Sequence, residues 1–400
     1  MHDIMISPPS CPVCQSQSVR QVITIPSVPA HCCILWNTQQ EAVNCPKGDI
    51  HLTFCGECGH LYNPAFDERL MEYSPNYENS LHFSPRFQEY SKGLIRRLTE
   101  SYQLYGKDII DIGCGKGDFL KMICSYGHNR GYGFDKSYQP ELEDPTHKVQ
   151  QNGVEFIRDY YSEKYAHYPA DFIVSRYVFE HIPQPRNFLQ DIKNTARRRN
   201  PNITFYFEVP NILYTLRDMG IWDLIYEHCS YFSAPSLTRI FESMDFDVLH
   251  VEEKYMGQFL SIEAQTGNGS SLSFEPYVEV EEVRHRVDRF ALEFQQKMEH
   301  WKNRLTELQK LGQQTVVWGG GAKCASFLNF LDTSGVIEHI VDINPRKKGK
   351  YMAGSGQEYV MPEDLKRLRP DTVILMNPIY EDEIRSTLRE LELNPDILIA

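Results

Sequence analysis

Two knuckles, Cys11-Pro-Val-Cys14 and Cys55-Gly-Glu-Cys58, each set two thiols one tight turn apart. Together they offer four thiolates, enough to close a tetrahedral shell around one ion with no position left open for catalysis. The spacing predicts a structural Zn2+ site held by Cys11, Cys14, Cys55 and Cys58. The alternative is two unrelated turns with free thiols. A redox role is disfavoured, because neither pair opens a thioredoxin-like βαβ unit. Cys32, Cys33 and Cys45 read as ordinary buried thiols. A second kind of chemistry is suggested by "WDLIYEHCSYF", residues 222–232, which puts Glu227 beside His228 among Trp222, Tyr226, Tyr231 and Phe232. Histidine titrates near neutral pH and suits a general base. The same residues also read as a polar pair tolerated at the edge of a core.

"DIIDIGCGKGDFL" ends a strand at Asp111 and turns through Gly113, Cys114, Gly115 and Gly117 into a helix near Asp118 and Phe119. Glycine lets backbone approach a ligand closely. The next strand, "GYGFD", ends in Asp135, with Lys136 after it. An acidic group there can accept both hydroxyls of a ribose. "FIRDYY" adds Asp159, placed to accept from an adenine amino group, and Tyr160. "DFIVSRYVFEHIPQP" ends a strand with Arg176 and Tyr177 at the ligand cleft. The glycine run is not the G-x-G-x-x-G of a dinucleotide site, and the chain has no P-loop pattern. A second turn, "VVWGGGAKCASFL", has Gly319 and Gly321 but Cys324 in the third glycine's place, and Asp342 ends the next strand. It reads as a broken NAD fingerprint, as a helix N-terminus with Lys323 beside it that takes a diphosphate, or as a turn that only packs its helix. Arg346, Lys347, Lys348 and Lys350 with Tyr351 read as a solvated charge run or as a diphosphate clamp.

The elements that must position these residues fall into segments. Residues 1–75 hold seven of the eleven cysteines and little helical periodicity, which predicts a small loop-and-strand module. Residues 76–265 alternate strands ("DIIDIG", "NRGYGFD", "ADFIVSR", "ITFYFEVPN") with helices ("GDFLKMICSYG", "PRNFLQDIKNTA"), as an α/β sheet does. Arg197 to Arg199 read as a solvated helix end. Residues 266–312 hold a linker, "TGNGSSLSF", and a long helix. Its Val280, Val283, Val287, Phe290, Phe294, Met298, Trp301, Leu305 and Leu308 step by three and four, a packing or dimer face. Residues 313–400 begin a second βαβ pattern.

Hydrophobic content of 41% and charged content of 24% fit a soluble globular chain. A net charge of −13 argues against a general nucleic-acid binder, which needs a basic face. No apolar run approaches the roughly 18 residues of a membrane span, and the first residues lack a signal-peptide pattern. Scattered cysteines point to a reducing cytoplasm.

The ordered set from Asp111 to Tyr177 resembles the class I S-adenosylmethionine (SAM)-dependent methyltransferases over roughly residues 85–265. From end to end the chain resembles the sugar C-methyltransferases of deoxysugar biosynthesis. The motifs are the CxxC pair, "NYENSLHFS", "DIGCGKG", "FEVPN", "YEHCSYFS", "WGGGAKCASFLNF", "VDINPRKKGKYMAGS" and "NPIYEDEI". The resemblance implies SAM as cofactor and a class I Rossmann-like sheet. A zinc module precedes that sheet, and a Rossmann-like substrate-binding domain follows it. It implies methylation of the carbon beside the ketone of a nucleotide-linked 4-keto sugar. It makes His228 the base oriented by Glu227, His181 a second active-site histidine that donates to the enolate, and Tyr77 a neighbour of the reacting groups. Where the family reads Tyr-His-Glu-His this chain reads "IYEH", so Ile225 or Tyr226 takes the tyrosine's place. Where the family has an alanine-tryptophan-asparagine run this chain has "MNPIY", with Asn377 and Tyr380 on the substrate side, so the sugar or its carrier differs. The other readings are an O- or N-methyltransferase on a small metabolite and a ligand-binding scaffold. The expected partner is a small molecule, with no nucleic acid or membrane, and the chain a monomer or homodimer.

Overall fold

The computed structural model describes residues 10–71, 76–139, 153–197, 203–266 and 275–400. The expected linker beyond Thr266, and Arg198 and Arg199 of the basic run, lie outside the described residues. Strands β1 (Val19–Pro29), β2 (Lys47–Cys55) and β3 (Leu61–Tyr62) form an antiparallel meander around the knuckles.

The central sheet is built from runs that are apolar on both faces, as strands covered by helices must be. Its parallel strands are β4 (Asp108–Ile112), β5 (Arg130–Phe134), β6 (Val154–Ile157), β7 (Phe172–Arg176) and β8 (Thr204–Pro210). After β9 (Ser230–Tyr231), a hairpin of β10 (Phe246–Lys254) and β11 (Phe259–Thr266) completes it. The order is β10-β11-β8-β7-β4-β5-β6, with β11 antiparallel to both neighbours. The chain reverses its direction of travel between β4 and β7, so the crevice at their C-terminal ends is the place for a ligand.

A second sheet follows the same rule. Strands β12 (Thr315–Trp318), β13 (Ile337–Val341), β14 (Glu358–Val360), β15 (Thr372–Leu375) and β16 (Asp396–Ile399) are all parallel, in the order β14-β13-β12-β15-β16. The fold is α/β, a class I methyltransferase sheet followed by a second Rossmann-like unit.

The long helix, Val280–Lys310, buries Val283, Val287, Phe290, Phe294, Met298, Trp301, Leu305 and Leu308. They share one core with β1, β2 and the C-terminal sheet, so the stripe is a packing face covered within the chain. The N-terminal module does not stand apart either. Its sheet has the order β1-β2-β3-β9, and the fourth strand comes from the chain just after Glu227-His228. Among the described residues no helix is long and apolar enough to cross a membrane.

Candidate active site

The knuckles meet. Cys11 Sγ lies 3.7 Å from Cys58 Sγ, and Cys14 Sγ 3.5 Å from Cys55 Sγ. All four sulfurs lie within 4.8 Å of one another. Four thiolates at about 2.3 Å around a tetrahedral ion stand about 3.8 Å apart, so this cluster has the right size for one.

The glycine turn leaves β4 with Gly113, Gly115 and Gly117 at φ +74°, +57° and +81°. It frames a cavity of about 470 Å³ lined by Asp111, Gly113, Cys114, Gly115, Lys116, Phe119, Asp135, Lys136, Tyr160, Arg176, Tyr177, Tyr77 and His181, among others. Gly117 packs against Phe156 and is outside the lining. Asp135 accepts from Gly115 N at 2.8 Å through one oxygen and from Ser137 through the other, which ties the two strand ends together. Burial pushes the Asp111 carboxyl up to about 7, with Arg176 opposing and Asp135 adding to the shift. Arg176 pairs with Glu208 at 2.9 Å and lies 4.4 Å over the Phe119 ring. Glu208 also accepts from Tyr90, Tyr177 and Tyr206. Tyr177 holds φ +59°, a strained value for a bulky residue that recurs at ligand sites. Asp159 is a correction. It accepts from Lys164, Tyr165 and Tyr160 N and does not line the cavity, because its turn uses it as a local cap.

The expected pairing of Glu227 with His228 also needs correction. Glu227 turns inward, wholly buried, and accepts from Cys32 N at 2.7 Å, Cys32 Sγ at 3.0 Å and Tyr77 Oη at 2.9 Å. His31 Nδ1 lies 3.7 Å from it. Burial pushes this carboxylate up, but His31, His181 and Cys32 outweigh that and hold it at about 2. His228 instead faces His181, with ring centroids 4.9 Å apart. His181 Nδ1 donates to the Glu227 carbonyl at 2.9 Å, which makes Nε2 the acceptor edge of the neutral ring. Burial pushes both histidines down, His228 far below its ordinary value. Glu180, beside them, is pushed up to about 8 by burial, and its Oε2 has no hydrogen-bond partner among the described residues. Sequence reasoning passed over Glu180, His31 and Cys32. The Glu-His dipeptide at 180–181, a copy of the one at 227–228, was the available signal for the first.

Tyr226 is not in the site. Its hydroxyl accepts from Asp67 N at 2.7 Å and its ring stacks on Phe66. Neither Tyr226 nor Ile225 lines the glycine-turn cavity or the larger one between the two sheets.

A second cavity of about 650 Å³ lies between the central and C-terminal sheets. His228, Tyr214, Asp223, Tyr255, Phe259, Lys323, Asn377 and Tyr380 line it. Lys323 is paired with Asp223. Asn377 exchanges two amide hydrogen bonds of 3.0 Å with Gln258, and Tyr380 accepts from Tyr255. Ser80 and Leu81 line both cavities. Of the basic run, Lys347 alone lines the larger cavity, and it is tied to Asp342. Arg346 pairs with Glu78, Lys350 donates to Asn37, and Tyr351 bridges to Trp36. Arg346, Lys348 and Tyr351 line neither cavity, because this loop docks the C-terminal unit on the N-terminal one. Lys347 is buried against Asp342, whose oxygens also accept from Gly320 N and Asn344 N. Unlike Asp135, the carboxylate that an NAD ribose would need is already neutralised by a buried lysine, 2.8 Å away.

With the site in view, the comparisons fit. Residues 83–251 match the family described as "Methyltransferase domain", and residues 270–395 match "C-methyltransferase C-terminal domain". The chain is a SAM-dependent methyltransferase. In particular, it is one that carries a C-methyltransferase C-terminal domain. Similar solved structures include a SAM-dependent methyltransferase from Aquifex aeolicus, at 18% identity and TM-score 0.35, covering 46% of this chain and 95% of that one. Another is magnesium protoporphyrin IX methyltransferase from Synechocystis PCC 6803 with bound SAH, at 14% and 0.36, covering 46% and 84%. A third is 1,6-didemethyltoxoflavin-N1-methyltransferase from Burkholderia thailandensis, at 13% and 0.35, covering 46% and 80%. No curated protein sequence matches the chain significantly.

Proposed function

We propose that this methyltransferase acts on the carbon beside the ketone of a nucleotide-linked keto sugar, with His228 as general base. One observation carries the reading. His228 lines the larger cavity, and its ring lies 4.9 Å from His181, which lines the glycine-turn cavity. A base on the substrate side next to a polar group on the cofactor side is what carbon methylation requires.

The glycine turn, Asp111, Asp135 and Tyr160 would hold SAM, which would supply an electrophilic methyl group. Neutral His228 removes the proton from the α-carbon, and the electron pair moves onto the ketone oxygen. The enolate carbon would then take the methyl group as the ketone re-forms, the sulfonium S–CH3 bond breaking and S-adenosylhomocysteine leaving with the electron pair. His181 commits its Nδ1–H to Glu227, so it can donate to the enolate oxygen only after Nε2 gains a proton. Glu180 Oε1 lies 3.9 Å from that nitrogen, and burial pushes the carboxyl up to about 8. It is the proton source we assign. Lys323, at the N-terminus of helix Ala322–Phe330, and Asn377 with Tyr380 hold the substrate in the larger cavity. Zn2+ in the Cys11, Cys14, Cys55 and Cys58 cluster is structural, in keeping with a reducing cytoplasm.

Solvent exchange tests the reading without turnover. Incubated in D2O with a panel of nucleotide-diphosphate-linked 4-keto sugars and no SAM, the enzyme is expected to wash deuterium into one α-position of its substrate. His228→Asn is expected to abolish that exchange. Exchange or turnover by His228→Asn within about tenfold of wild type would refute the base.

A further inference from the structure

The side-chain partners of the buried Glu227 come from outside the central sheet: Cys32 and His31 from the loop after β1, and Tyr77. That loop is pinned along its length. Ala30 N donates to Pro46 O, Glu78 N to Cys33 O, Leu35 N to Asn76 O and Tyr351 N to Trp36 O, at 2.8 to 3.1 Å. A second grip acts on the main chain. Strand β3, three residues beyond Cys58, pairs Leu61 with Tyr231 and Tyr62 with Ser230. Asn63 N donates to Cys229 O at 3.0 Å, and Ser233 Oγ to Gly59 O at 2.8 Å. The dipeptide Glu227-His228 is thus held by its side chain through one part of the cysteine module and by the backbone after it through another.

We propose that His31 and Cys32 are positioning residues for the reaction, and that the cysteine module is part of the catalytic centre. A buried carboxylate is stable only when paired and hydrogen-bonded. The three donated bonds and the His31 ring meet that need for Glu227. The Glu227 carbonyl in turn fixes the His181 tautomer, and its peptide unit leads directly into His228. If the carboxylate shifts, both imidazoles shift with it. A displacement of about 1 Å near the reacting atoms can cost roughly 100-fold in rate. This inference rests on the reading of His228 as base.

The test uses the full-length, metal-loaded chain with 15N-labelled histidine. Wild-type His181 is expected to show a single Nδ1–H tautomer, as its bond to Glu227 demands. Cys32→Ala and His31→Ala are expected to mix the tautomers, while SAM affinity by calorimetry stays within about threefold. Cys32→Ser, which restores a donor, is expected to return the wild-type pattern. With the 4-keto sugar nucleotide of that panel that exchanges, kcat for Cys32→Ala is expected to fall roughly 10- to 100-fold at little cost in KM. Should His31→Ala lose SAM binding, Cys32→Ala alone decides, since it deletes a single sulfur. Wild-type ring signals in the alanine variants overturn the proposal even if His228→Asn is inert. A His228→Asn variant that still turns over removes the base instead, and leaves the ring signals to judge the positioning.

Discussion

Gly113 and Gly115 sit two residues apart in one turn, both at positive φ, yet alanine should do different things at each. A Cβ on Gly113 would lie 2.2 Å from Val178 Cγ2. A Cβ on Gly115 would meet nothing within 4 Å, on a residue that lines the cofactor cavity. The left-handed conformation costs an L-residue about 1–2 kcal/mol at either place. At Gly113 the overlap adds roughly 1–3 kcal/mol of overpacking. Gly115→Ala should therefore melt only a few degrees below wild type, at about 2–4 °C per kcal/mol for a domain this size. Gly113→Ala should melt further down. Cofactor binding should reverse the order of surprise. The added methyl at Gly115 projects where ligand must approach backbone, so SAM affinity should drop at least tenfold, or about 1.4 kcal/mol. Thermal melts and calorimetry on the two variants are sufficient. A Gly115→Ala protein that melts normally and binds SAM as wild type does would refute the assignment of this turn.

Glu208→Gln should leave the buried Arg176 unpaired and destabilise the chain by about 3–5 kcal/mol in urea titrations; a loss under 1 kcal/mol would mean the pair is well replaced by solvent. Asp111 titrates in the folded chain near 7, above the 3.8 of a free carboxyl, so the folded state binds the extra proton and this group's stability contribution falls as pH rises from about 4 to 7. Asp111→Asn should raise the melting temperature at pH 8 more than at pH 4, and an equal change at both would contradict the burial of that charge. Because burial lowers the His228 pKa, the base stays neutral below the usual histidine range. The α-proton exchange rate should then hold level from neutral pH down through 6.5 and fail only in more acid buffer, so a midpoint at the ordinary histidine value would show an exposed ring.

The elements that proved readable are those whose signal is local. "DIIDIGCGKGDFL" carries a strand, three turn glycines and a helix start within thirteen residues, and β4, the turn and helix Asp118–Gly127 appear where the pattern places them. Pairing across long separations left no such trace. Strands β3 and β9 are two residues each, too short for any period, and they join positions 61–62 to 230–231. The Cys32 contact with Glu227 spans 195 residues, and nothing in the Cys32-Cys33 pair announces it. The Glu227-His228 pairing failed because each side chain meets partners from distant segments, Glu227 at Cys32 and Tyr77 and His228 at His181. The basic run at 346–350 was ambiguous because charge alone does not distinguish ligand binding from docking. Its partners, Glu78 and Asn37, lie in distant segments.

These long-range contacts explain why three units share one chain. Ser80 and Leu81 line both cavities, so one short segment borders the two. The same segment is held from two directions. Glu78 accepts from Asn344 and Arg346 of the C-terminal unit, and its backbone N donates to Cys33 of the N-terminal module. Glu383 accepts from Ser84 Oγ and Arg86 N a few residues on. A central sheet alone would present the glycine turn but would leave this segment, and the buried Glu227, without the partners that fix them. The flanking units supply those partners, and with them the alignment between the two cavities.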